Sequence, residues 1–171
     1  MKDICDKLDN ILLAALPNDG IRFFGLSQPV KKGDQVHPVT IEDNEQVSID
    51  QKYDAIVFHR LNGDATWAEV EEEAFGRDTG RVRVQPMRTF IAHKFEKGEE
   101  WIDYFLNNFP NGLSIDVNGV DTYDFIDLVN GTLKTNQEAI YNEEFGENSY
   151  EKHTIPWNIY ALDYDIQFIR C

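Results

Sequence analysis

Tyr53-Asp54-Ala55-Ile56-Val57-Phe58-His59-Arg60-Leu61-Asn62-Gly63-Asp64 is the stretch on which the fold turns. Ala55, Val57 and His59 alternate with Ile56, Phe58 and Arg60, so Tyr53 to Leu61 reads as a strand. Asn62-Gly63-Asp64 then carries the strongest short hairpin signal in the chain. Strands joined by turns, rather than by crossover helices, point to a mostly antiparallel sheet.

The segments on either side extend that reading. Upstream, residues 27–52 hold turn chemistry in Pro29, Lys31-Lys32-Gly33-Asp34 and Pro38. Val36, Val39 and Ile41, then Val47 and Ile49, offer short strands, but the spacing favours an extended loop or arm. Ile21 to Leu26 reads as a short strand. Before it, Ile4, Leu8, Leu12 and Ala15 recur at helical spacing, and Pro17 stops the helix. Downstream, Trp67, Val70 and Ala74 favour a helical or irregular excursion over residues 65–75, with Gly76 to Gly80 a turn. Arg81 to Phe95 is a long strand in which Pro86 demands an edge, a bulge or a division in two. Gly98-Glu99-Glu100 opens a central helix whose apolar face is Trp101, Ile102, Phe105, Leu106 and Phe109. Strands follow at Leu113 to Val117 and at Tyr123 to Leu133, with a break at Gly131. A short acidic helix spans Asn136 to Phe145, and a last strand runs from Trp157 to Ile169.

The expected architecture is one α+β domain over residues 1–171. It has a mostly antiparallel sheet, with the N-terminal and central helices packed on one face. Ile4, Leu8, Leu12, Phe58, Ile102, Phe105, Leu106, Ile166 and Phe168 form the expected core.

Charge narrows the function. The 171 residues carry 16 Lys+Arg against 31 Asp+Glu, a net charge of −15. Phosphates repel such a surface, which argues against general nucleic-acid affinity and against anionic membranes. No apolar run reaches the ~18 residues of a spanning helix. Acids stand at Asp3 and Asp6, where a signal peptide needs bases, so a cytosolic origin with Cys5 and Cys171 reduced is expected.

Chemical motifs are weak. His37, His59, His93 and His153 lack the spacing of a zinc site. His59 and His93 sit on strands that can make them neighbours across the sheet. Asp116-Val117-Asn118-Gly119-Val120-Asp121 suggests a calcium loop, but its Gly comes early and Asp127 stands where the twelfth-position Glu belongs, so it reads as a hairpin turn. Glu69 to Glu73, Glu143, Glu144 and Glu147 offer paired carboxylates. Acid–base work needs a buried member with a shifted pKa, whereas runs of Glu form solvated faces. Asn130-Gly131-Thr132 matches a glycosylation sequon. Trp67, Trp101 and Trp157 are read as core. No catalytic, cofactor-binding or metal-ligating residue is assigned on these patterns.

The order of elements resembles a known family. The amphipathic N-terminal helix, short strand, long arm, strand pair and central helix Trp101 to Phe109 come in turn. They are followed by acidic Tyr141-Asn142-Glu143-Glu144-Phe145-Gly146 and the strand Trp157 to Phe168. Together these resemble the small neck and tail-completion proteins of tailed bacteriophages, tail-terminator and head–tail ring subunits among them, and the last strand is similar to that of crAss-like phages. The resemblance implies a homo-oligomeric ring in the virion between portal and tail, through which DNA passes, with no cofactor and no membrane. An acidic lumen would keep DNA from sticking. Two other readings stand beside it: an acidic inhibitor that mimics DNA, and a small enzyme using His59 or His93 with a nearby carboxylate.

Overall fold

The computed structural model describes residues 1–15, 20–50, 52–69, 81–94, 100, 113–117, 120–147, 149–152 and 157–170. Its elements are α1 (Lys2–Ala15), β1 (Ile21–Lys32), β2 (Gln35–Thr40), β3 (Ala55–Leu61), β4 (Thr66–Glu69), β5 (Arg81–His93), β6 (Leu113–Val117), β7 (Val120–Lys134), α2 (Gln137–Phe145), α3 (Ser149–Lys152) and β8 (Asn158–Arg170). They form one sheet in the order β2-β1-β3-β5-β8-β7-β6, with β4 also on β5. Among the described residues only β1 and β3 pair in parallel. The architecture is α+β with a mostly antiparallel sheet, as the sequence predicts.

Side chains alternate across the central strands and build two cores. On one face Val57, Met87, Ile91, Leu162, Tyr164 and Ile166 meet Ile4, Cys5, Leu8 and Leu12 of α1. On the other, Ile56, Phe58, Phe90, Ala92, Ile159 and Ala161 meet Ile140, Tyr141 and Phe145 of α2. The single expected core is therefore divided. Phe58 belongs under α2, stacked on Phe90 at 4.4 Å between ring centroids. A strand apolar at every position is covered on both sides, because either face left open would expose half of it. The central helix, with Ile102, Phe105 and Leu106, lies outside the described residues, as does the side chain of Phe168.

Three local readings change. The irregular arm of residues 27–52 is in large part a hairpin. β1 runs on to Lys32, and β2 returns with Ser27 opposite Thr40 and Lys32 opposite Gln35. Gly33, φ +63°, takes the first central position of the two-residue turn, which favours glycine. Val39 is buried and bridges to Gln46. Second, Asn62-Gly63-Asp64 does not reverse the chain. β3 and β4 lie end to end along β5, Leu61 opposite Met87 and Thr66 opposite Val84. Residues 62–65 thus bulge against residues 85–86. Asn62 N–H donates to Pro86 O at 2.9 Å, and the Gln85 side chain donates to Gly63 O at 2.9 Å. The absent N–H of Pro86 falls where the ladder is already open, which is how a proline is accommodated mid-sheet. Third, residues 66–69 are strand rather than helical excursion; residues 70–80 lie outside the described residues.

Other expectations hold. The β7 register on β8 slips by one between Val129 and Thr132, at the Gly131 break and across the Asn130-Gly131-Thr132 sequon. Val117 pairs with Val120, the hairpin read at Asp116 to Asp121. Asn136 caps α2 by accepting from Ala139 N–H at 3.1 Å.

Candidate functional site

The polar residues of interest come from three adjacent strands. At one level of β3, β5 and β8, neighbouring residues send their side chains to opposite faces. His59, Thr89 and Tyr164 point under α1. Arg60, Arg88 and Asp163 point towards α2.

Under α1 the groups form a chain. His59 Nε2 lies 2.8 Å from Asp9 Oδ1, His59 Nδ1 lies 2.8 Å from Thr89 Oγ1, and Thr89 Oγ1 lies 2.8 Å from Tyr164 Oη. One placement of hydrogens uses every group. Tyr164 Oη–H donates to Thr89, Thr89 Oγ1–H donates to His59 Nδ1, and His59 Nε2–H donates to Asp9. Burial pushes the Tyr164 phenol upward and the nearby Cys5 thiol up to about 12, so both keep their protons at neutral pH. Asp9 lies in the first half of α1, where the helix dipole favours an acid. It stands one turn after Cys5 and three residues before Leu12, at the margin of the buried stripe, and that spacing is the signal for its inward aim.

The arrangement has the order of an activated hydroxyl, carboxylate to imidazole to Thr89. Thr89 is 2% exposed and His59 0%, with α1 as the cover. What this geometry does is fasten α1 to the sheet through a fully used hydrogen-bond chain. His93 is not beside His59. His93 pairs with Ala55 and His59 with Thr89, four positions apart on β5, or about 13 Å at strand rise. His93 is stacked on Tyr160, 5.6 Å between centroids, and burial pushes its imidazole down to about 4. His37 is near the surface, its Nδ1 3.1 Å from Gln46 Nε2. His153 lies outside the described residues.

Under α2 the groups are ionic. Arg88 forks onto Asp163, through a short Nε–Oδ1 contact and Nη2–Oδ2 at 2.8 Å. Its third nitrogen, Nη1, donates to Glu143 at 2.8 Å. Arg60 pairs closely with Glu144. Lys134 Nζ lies 3.2 Å from Asp163. Both guanidinium groups sit over the Phe90 ring, at 5.7 and 5.8 Å from its centroid.

Glu144 is 1% exposed, and burial pushes its carboxyl up to about 7, against the pull of Arg60 and Arg88. Burial also pushes at Asp163, but hydrogen bonds from Arg88 and Lys134 outweigh it and hold that carboxyl below the usual range. Glu144 corrects the solvated-face reading of Glu143, Glu144 and Glu147. It shares a helical stripe with Ile140, Tyr141 and Phe145, a pattern visible in the sequence. Glu143, Glu147 and Glu69 are exposed; Glu71 to Glu73 lie outside the described residues. Trp67, expected in the core, is 66% exposed, and Trp157 is buried.

Two surface cavities lie apart from these clusters. One, about 270 Å³, has Val47, Ile49 and Phe145 with His37, Gln46 and Glu147 among its lining. The other, about 280 Å³, opens between the start of α1 and the residues after β2. Among the described residues no group of His, Cys, Asp or Glu is placed to hold a metal ion, and no helix is long and apolar enough to cross a membrane. No protein-family model matches the chain, and no curated protein matches it.

Proposed function

We propose that the protein is a structural subunit of a bacteriophage neck or tail-completion ring, giving an acidic channel for DNA. The observation that carries this reading is the β1–β2 hairpin. Its end, residues 31–35, is exposed and bears Lys31-Lys32, the only adjacent lysine pair in a chain of net charge −15. A basic finger on an acidic body fits a second copy of the same acidic body, because opposite potentials align the pair. The base of the finger is held firmly. Val47 N–H donates to Pro38 O at 2.8 Å, and Thr40 N–H to Glu45 O at 2.8 Å, so the outer edge of β2 is covered at Pro38 and Thr40. Contact is therefore made by side chains at the tip, not by adding a strand to that edge.

Repeating a −15 subunit around a ring concentrates negative charge along the lumen, where DNA slides without being held. The test is assembly of phage particles lacking this protein. Loss of tail attachment or leakage of packaged DNA is the expected result. Infectious particles of normal yield would end the structural reading and return attention to the inhibitor and enzyme alternatives.

A further inference from the structure

Building on the ring reading, we propose that Trp67 of one copy seats in the cavity between α1 and the residues after β2 of the next copy. Trp67 is the most exposed of the large apolar side chains among the described residues, at 66%. It stands on the four-residue strand β4, directly opposite exposed Arg83 on β5. Glu69, the next residue on that face, is set opposite Arg81, and Arg83 is the cation directly beside the indole.

The cavity is complementary in three respects. Its volume of about 280 Å³ suits one aromatic side chain. Cys5, Phe24 and Leu26 line it, with half-exposed Met1 and Ile41 at 37% and 44%. Its rim is acidic. Asp6, Glu42 and Asp43 are exposed there, three acids against two cations, the Met1 amine and Lys2, the latter bound to Glu42 at 2.9 Å. Arg83 beside an incoming indole meets that rim. One wall is bare backbone. Gly25, φ +68°, sits where β1 slips its register on β3, and a Cβ there would meet nothing within 4 Å. Such a flat wall takes the face of a ring.

Projection and cavity occupy different elements, so the contact can repeat head to tail. Each copy offers one of each; under the ring reading the series closes on itself, and a reciprocal exchange that stops at a pair is the outcome that association beyond a dimer excludes. Trp and Arg are, with Tyr, the residue types enriched among the few that dominate interface energies.

The test uses the full chain in sedimentation and light scattering over a range of concentrations. Wild type is expected to associate beyond a dimer, with Trp emission shifting to shorter wavelength as it does. Trp67→Ser and Ile41→Glu, both at exposed positions, are expected to stay monomeric with unchanged circular dichroism. Mixed in equal amounts, the two retain one intact contact and stop at a dimer. Arg83→Glu is expected to weaken association about tenfold, and Asp43→Lys to restore it in the double variant. Association of Trp67→Ser and Ile41→Glu equal to wild type overturns the docking and leaves the ring reading standing. A wild-type chain monomeric up to millimolar concentration, and absent from purified particles, overturns both.

Discussion

The two polar clusters occupy the same level of the same three strands, yet they are built on different chemistry. Under α1, His59, Thr89 and Tyr164 form a single file of hydrogen bonds that ends on Asp9. Under α2, Arg60 and Arg88 are braced by Glu143, Glu144 and Asp163, with Lys134 at the margin. The difference follows access to water. His59, Thr89 and Tyr164 are buried at 2% or less, and there a file of shared hydrogens leaves little charge to desolvate. The second cluster reaches the surface, where the Glu143 side chain is 48% exposed and that of Lys134 42%. Charges with one partner in water are cheaper to keep. Burial by α1, whose Asp9 stands at the margin of its stripe, and burial by α2, whose Glu144 lies within its stripe, thus select different solutions on one sheet.

Removing a cation should break the comparison most forcibly. Arg88→Ala leaves Asp163 and Glu144 without their shared partner, and is expected to cost about 3–5 kcal/mol in urea denaturation. His59→Ala should follow at about 2–3 kcal/mol, because Asp9 and Thr89 lose their partner while Asp9, at the helix margin, keeps some access to water. The same variant sharpens the functional reading. If it folds, particle assembly should be intact, whereas a catalytic role would abolish activity in folded protein.

Acidity separates the clusters further. The Glu144 carboxyl lies at about 7 in the folded chain against 4.5 in the unfolded chain, so the folded state holds the extra proton between those values. Its contribution to stability is therefore full below pH 4.5 and is lost as pH rises through 7. Glu144→Gln should flatten the pH dependence over that window, by an amount on the order of 1–3 kcal/mol. His93 acts in the opposite sense. Its imidazole, lowered from 6.5 to about 4, contributes stability above 6.5 that is lost as pH falls to 4. Denaturation curves of wild type and Glu144→Gln, subtracted at each pH, isolate the carboxyl. A difference flat across pH 4.5 to 7 would contradict the shift. The smallest effect is expected at the hairpin tip. Lys31→Ser with Lys32→Ser should change monomer stability by less than about 0.5 kcal/mol, since both are exposed. The same double variant should reduce subunit association, read by light scattering.

Local residue pattern by itself determined most of the elements. The stripe Ile4, Leu8, Leu12 specifies α1, Asn136 sets the start of α2, Gly131 marks the bulge of β7, and the apolar run at Tyr53 to Leu61 gives β3. These depend on contacts within a few residues, where backbone preference and capping act. Composition alone set the net charge of −15. Tertiary structure decided what those signals could not. The Asn-Gly-Asp turn chemistry gave way because β5 continues past β3 and offers β4 the same edge, and only the full register shows that edge to be free. Asp9 and His59 are 50 residues apart, and Arg88 and Asp163 are 75 apart. Which residue of a two-sided strand faces which helix depends on pairing, and one step of register exchanges the faces. That is why His59 and Arg60, adjacent in the chain, belong to different clusters.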